Sequence, residues 1–248
     1  MDERRAAKRG KKRGSGPIWR RIRYAAALIA VIAAVSTFFK ISDIQVEGNM
    51  IYSSEEIISA SGLDTGSMLF FAGRRGAGKR IYAKLPFVDK VKIKTRAPDT
   101  LVIAVEEAGA AACIETDGRW LLINRSCKVL GYADGPEHIQ VLGLTPDKPE
   151  EASLLRAAEG ESGKLAVLRD MLSQFDERDM LASVSRIDLS NSGDVRFDYL
   201  GRYTIKLGTA DRLSYKLDFA LSIIEELGPG EKGTIDLSTD TEGHYIPR

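Results

Sequence analysis

Apolar positions along the chain are arranged in three ways. The first is an uninterrupted run: Tyr24–Phe39 reads YAAALIAVIAAVSTFF, 16 residues without a charge. As a helix rising about 1.5 Å per residue it spans about 24 Å, short of the ~30 Å hydrocarbon core of a bilayer. Counted from Arg20 to Lys40, whose long side chains reach toward the headgroups, it has 21 residues and spans about 31 Å. The pattern predicts a transmembrane helix over 24–40, anchored by Tyr24, Leu28, Ile32, Phe38 and Phe39. Tyr24, Phe38 and Phe39 sit near its ends and Trp19 just outside, where interfacial aromatics belong. A cleaved export signal processed at Ala34-Val35-Ser36 is the weaker fit, because a long polar leader precedes it and the apolar run continues past Ser36. A soluble core helix would carry a polar stripe, which this run lacks.

The second arrangement is strict alternation, the signature of half-buried strands. Ile44-Gln45-Val46-Glu47 shows it, with Gly48-Asn49 ending the strand. Val91 and Ile93 face one way against Lys90, Lys92 and Lys94, while Leu101, Ile103 and Val105 share a face beyond the turn Arg96-Ala97-Pro98-Asp99. Further strands are expected at 112–116 and 120–123 around the Asp117-Gly118 turn, at 129–132, 138–142, 184–189, 194–199 and 203–207, and last at Thr234–Leu237. Ser238–Arg248 is polar and is expected to be loose.

The third is helical spacing. Ser53 can cap a helix and Glu56 close its capping box, with Gly62 as the residue beyond its C-terminus. A second helix is expected from about Lys79 to Leu85, stopped by Pro86. Lys164–Phe175 carries Leu165, Leu168 and Leu172, and Arg212–Leu227 carries the stripe Leu213, Leu217, Leu221 and Ile224. The order strand, helix, helix, strand, strand over 41–108 makes a compact α+β unit, followed over 109–237 by a mixed β-rich unit with packed helices.

Charge sharpens this division. The 248 residues hold 36 Lys and Arg against 35 Asp and Glu, but Met1–Arg23 has ten basic residues and two acidic ones. The tail is therefore +8 and the remainder −7. The positive-inside rule places residues 1–23 in the cytoplasm and the bulk of the chain outside, a single-pass type II arrangement. A topogenic and lipid-headgroup role accounts for the basic run, so no nucleic acid is expected.

Candidate chemistry is sparse. Gly73-Arg74-Arg75-Gly76-Ala77-Gly78-Lys79 matches the first seven positions of a phosphate-binding loop, but Arg80 stands where Ser or Thr must hold magnesium, so a flexible basic loop is expected. Only His138 and His244 are present, and Glu106 and Glu107 point to opposite faces of a strand. Cys113 and Cys127 lack the paired spacing of a zinc site and are expected to be ordinary thiols, with a disulfide the alternative. No catalytic residue, cofactor, metal or small-molecule substrate is expected; the chain does not read as an enzyme.

Motifs in order carry a resemblance. Ile44-x-Val46-x-Gly48-Asn49, Ser54-x-Glu56-Ile57-x-x-x-Ser61-Gly62-Leu63 and Gly66-x-x-Leu69-Phe70 come first. Leu85-Pro86-x-Val88-x-x-Val91-x-Ile93 and Pro98-x-Thr100-Leu101-x-Ile103-x-Val105-x-Glu107 follow. This block resembles the POTRA domain of the bacterial FtsQ/DivIB family, and Lys216-Leu217 with Thr234-Ile235-Asp236-Leu237 resemble the same family's β-domain. The resemblance implies a non-enzymatic division scaffold at the septal membrane. It would bind FtsB/DivIC-like and FtsL-like proteins and link early division proteins to wall synthesis. It further implies that a partner segment adds as a strand beside the last strand, which places partner contacts on Ile235, Leu237, Ser238 and Thr239, with Tyr245 as an aromatic anchor. Many relatives have Arg where Ser238 stands, so any contact there is by backbone. A membrane-anchored POTRA binding module for protein export or envelope assembly is the alternative; those carry several POTRA units and a barrel.

Overall fold

The computed structural model describes residues 16–38, 40–67, 73–239 and 243–248. Helix α1, Gly16–Phe38, covers most of the expected span and begins well before it. Tyr24 and Leu28 are exposed on it; Phe39 and the side chains of Ile32 and Phe38 lie outside the described residues. Among the described residues no helix is long and apolar enough to cross a membrane.

The first folded domain consists of β1 (Asp43–Glu47), α2 (Ser54–Ser61), α3 (Arg74–Lys84), β2 (Val88–Arg96) and β3 (Thr100–Glu107). The expected alternation sets its register: β3 is central, parallel to β1 and antiparallel to β2, with Ile44 opposite Leu101 and Ile93 opposite Ile103. Leu101, Ile103 and Val105 form the buried face, against which Ile57, Ala60, Ala77 and Ile81 of the two helices pack. Helix α2 starts as its sequence dictates, with Ser53 and Glu56 closing the capping box and Gly62 in the left-handed conformation at its end. Glu107 accepts from the backbone N–H groups of Met50, Ile51 and Tyr52 at 2.9, 2.5 and 3.3 Å. That carboxylate thus ties the loop after β1 to the end of β3.

One expectation fails here. From Arg74 to Lys79 the basic segment is not a loop but the first half of α3, with Gly73 at its N-cap. Glycines disfavour an isolated helix, and a Cβ on Gly78 would make only ordinary contact with Val91, at 3.8 Å. Burial of Ala77 and Ile81 outweighs the weak local propensity.

Among the described residues the second domain has nine strands, in the order β12-β11-β10-β9-β8-β7-β4-β5-β6. In chain order they are β4 (Ala112–Thr116), β5 (Arg119–Ile123), β6 (Val129–Ala133), β7 (Ile139–Leu142), β8 (Val184–Asp188), β9 (Val195–Tyr199), β10 (Tyr203–Gly208), β11 (Gly233–Asp236) and β12 (His244–Pro247). Helices α4 (Ser162–Glu177) and α5 (Leu213–Glu226) supply its apolar cover. Leu168, Met171, Leu172 and Phe175 of α4 and Leu213, Leu217 and Ala220 of α5 are buried. Each such Leu or Phe contributes about 1.5–3 kcal/mol on leaving water. Lys216 is buried on the same face of α5 and donates from Nζ to the carbonyls of Leu207 (2.7 Å) and Thr209 (3.0 Å), fixing the end of β10 to the helix. Cys113 and Cys127 are buried free thiols, and burial pushes the Cys127 thiol up to about 11.

The two domains meet through a polar joint. Lys128, wholly buried, donates from Nζ to the carbonyls of Tyr82, Leu85 and Val88 at 2.6, 2.8 and 2.7 Å. Beside it Asp89 accepts from Asn124 at 3.1 Å and from Arg125 at 3.4 Å. Arg125 also reaches Asp176 of α4 at 2.5 Å.

Candidate functional site

The sequence points to the end of the chain, and the geometry there differs from the expectation in one respect. β11 does not close the sheet. The segment expected to be loose contains β12, which pairs antiparallel with β11 and places Thr234 opposite Ile246 and Ile235 opposite Tyr245. On its other side β11 runs parallel to β10, with Ile205 opposite Ile235. One side chain seats this polar tail as a strand: Tyr245 points inward, packed against the core, and its hydroxyl donates to the Lys232 carbonyl at 3.1 Å.

Backbone directions follow from the hydrogen bonds. The N–H groups of Gly233 and Leu237 donate to the carbonyls of Arg202 and Lys206 at 3.1 and 2.8 Å, toward β10. Alternation along a strand then points the N–H groups of Thr234 and Asp236 toward β12. Of the expected contact residues, Ile235 and Leu237 are core side chains at 0% and 2% exposure, so they can offer a partner only backbone. Ser238 and Thr239 are exposed just past the strand, and Tyr245 sits opposite Ile235 on β12.

Asp236 orders the exit from β11. Its Oδ1 accepts from the Ser238 hydroxyl at 2.6 Å and the Ser238 N–H at 3.0 Å, and its Oδ2 faces Lys206 Nζ at 3.3 Å. The Ser238 hydroxyl, and after it the backbone bond and Lys206, hold this carboxyl below the usual range despite partial burial. Gly208 is needed nearby: at φ +67°, its Cβ would lie 2.9 Å from Ser238 Cα. Beside the strand, Tyr215 and Phe219 of α5 stack at 6.0 Å, and Tyr215 is half exposed. Sequence reasoning missed this aromatic pair, although its i, i+4 spacing on α5 was open to inspection. Among the described residues no group of three His, Cys, Asp or Glu is placed to hold a metal.

Two family models match the chain, in the order of its two domains. Residues 39–108 match the FtsQ-type POTRA domain, and residues 112–238 match the C-terminal domain of cell division protein FtsQ/DivIB. The chain belongs to the FtsQ/DivIB family. It is 25% identical over 217 residues to cell division protein DivIB of Clostridium botulinum strain Hall, covering 86% of this chain and 83% of that one. It is 27% identical over 201 residues to cell division protein FtsQ of Geotalea daltonii, covering 79% and 70%. It is thus a cell division protein, in a family not known for enzymes. The second match ends at residue 238, so β12 lies beyond the matched domain.

Proposed function

We propose that this chain is a single-pass membrane scaffold of the division machinery. Its basic N-terminus is cytoplasmic, residues 24–40 span the membrane, and both folded domains are extracytoplasmic at the septum. It binds FtsB/DivIC-like and FtsL-like proteins and thereby links early division proteins to septal wall synthesis. The observation that carries this reading is the order of parts: a basic tail, an apolar run, the FtsQ-type POTRA domain and the FtsQ/DivIB C-terminal domain. The partner segment adds as a strand at the sheet edge formed by β11 and β12, alongside Ile235, Leu237, Ser238, Thr239 and Tyr245. Backbone pairing of this kind gives affinity with few charged contacts.

The test is co-purification of the full chain with the ectodomain of the host's DivIC-like protein, beside a Thr234→Pro variant. Proline removes the outward N–H at 234 and leaves the β10 ladder whole. Leu237→Pro would be uninformative, because the Leu237 N–H bonds inward to Lys206. Capture by the wild type and at least about tenfold weaker capture by the folded variant is expected. Equal capture by both removes the partner from this edge.

A further inference from the structure

Charge is spread unevenly within the body of the chain. Residues 73–96 hold nine basic residues and one acidic one, while the rest of 24–248 holds 17 basic and 32 acidic. The single acid, Asp89, is buried in the joint with the second domain, where Asn124 and Arg125 bond to it. Three of the nine have partners inside the first domain. Arg80 donates to the Ser61 carbonyl at 2.7 Å, Lys90 pairs with Glu106 at 2.8 Å and Arg96 with Glu47 at 3.3 Å. Arg75, Lys79, Lys84, Lys92 and Lys94 are exposed and make no hydrogen bond or ion pair among the described residues.

These charges gather on one flank. The order β1-β3-β2 leaves β2 at the edge of its sheet. Lys92 and Lys94 project from the helix-free face, opposite in direction to Val91 and Ile93, which pack toward the core. On the helix side, Arg75 and Lys79 of α3 rim a shallow groove that Gly78, Tyr82, Val91 and Ile93 complete. Two basic rows therefore border the β2 edge. Lysines beside an edge strand discourage a further strand, but that accounts only for the row on β2.

Connectivity brings the flank close to the end of the span. Ile41 is 1% exposed in the core of the first domain. Its N–H donates to the Ser67 carbonyl at 2.9 Å, and its carbonyl accepts from Gly66 at 2.7 Å. Three Cα steps separate it from Phe38, the last residue of α1, so the domain stands within about 11 Å of that helix end. The chain enters the sheet at Asp43, opposite Thr100, which in turn lies opposite Arg96. Helix α3 runs back against β2 through the turn 85–87, so Arg75 lies toward this same end and Lys84 toward the joint. Asp43 and Asp99 share the end, so the flank and not the tip is positive.

We propose that the α3–β2 flank of the first domain rests on the anionic lipid headgroups of the extracytoplasmic leaflet. Arg75 and Lys79 touch them on one side of the β2 edge, and Lys92 and Lys94 on the other. The proposal rests on the reading of residues 24–40 as the span and adds how the first domain is oriented on the membrane. Each basic side chain near an anionic surface strengthens binding about fivefold, and the short tether makes the contact intramolecular. The second domain, joined at the far end of α3 through Lys128, is thereby aimed in one direction from the bilayer.

The test places the full chain in lipid nanodiscs of phosphatidylcholine, alone or mixed with phosphatidylglycerol, and follows acetylation of individual lysines by mass spectrometry. Lys79 and Lys94 report on the flank, and Lys148 and Lys232, exposed on the second domain, serve as references. In anionic discs Lys79 and Lys94 should react at least about fivefold more slowly than in neutral ones, with the references unchanged. Salt at about 1 M, which shortens the Debye length to about 3 Å, should abolish the difference. So should Arg75→Glu/Lys92→Glu, which reverses one charge in each row at exposed positions. Circular dichroism checks that variant, and the salt arm keeps the test decisive if it misfolds. Equal rates in both lipids, with the chain incorporated, overturn the docking and leave the anchor standing. Slowing that survives both salt and the double substitution belongs to the tether alone and likewise overturns the docking. Protection that appears only on adding the DivIC-like ectodomain overturns it too and assigns the flank to a protein. A chain that elutes apart from the discs overturns the anchor, and the docking with it.

Discussion

Lys128 shows how much a single side chain can carry between domains. Burial pushes its ammonium down to about 8, with Asp89 opposing the shift, so it remains mostly charged at neutral pH. All three N–H donors are then used by carbonyls at the end of α3 and the start of β2. Lys128→Met fills similar volume but leaves those carbonyls without their donor, and is expected to cost about 2–4 kcal/mol of stability in chemical denaturation. A change under about 0.5 kcal/mol would show the joint to be replaceable. Asp236 gives a pH test. Its carboxyl is held below the ordinary carboxylate range in the folded chain, so the unfolded chain binds its proton first as pH falls. The stability it contributes is full above the unfolded value near pH 4 and is lost as pH drops through the folded one. Melting temperatures from pH 7 to pH 3 should therefore fall less steeply for Asp236→Asn than for the wild type. Local side-chain chemistry of this kind was only partly legible. Ser53 and Glu56 declare a capping box by spacing alone, whereas nothing in the sequence marks Lys128, one lysine among many, as buried.

Elements divide along the same physical line. Strands with sustained alternation, such as Val91–Thr95 and Leu101–Val105, were legible because one face is buried and the register cannot slip without exposing it. Helix α5 was legible through its leucine stripe, although Lys216 joins the buried face and Leu221 and Ile224 lie at its margin. The second half of helix α3 was legible from about Lys79, but its start was not, because Gly73, Gly76 and Gly78 speak for a loop. β12 was missed because four residues with one inward side chain make no period. That omission bears on the candidate site, since the edge expected to be open is covered. Of the expected contact residues, Ile235 lies on β11 and Leu237 just past it, and both point into the core.

At the scale of the whole molecule, the proposed topology rests on the basic tail and the acidic body. Deleting residues 1–40 should move the chain from the carbonate-resistant membrane pellet to the soluble fraction, while the full chain stays in the pellet. Recovery of the full chain in the soluble fraction would remove the anchor. The two domains and their order were legible because each hairpin and helix carried its own local signal. Their joint was not, because Asp89, Arg125 and Lys128 are ordinary surface residue types until the fold brings them together. The account's central claim is that a division partner adds at the edge formed by β11 and β12. Amide hydrogen exchange on the full chain, with and without the DivIC-like ectodomain, tests it most directly. Protection should rise on binding along β11 and β12, at Thr234, Asp236 and Ile246. Unchanged exchange along both strands, with new protection confined to the POTRA domain, would contradict it.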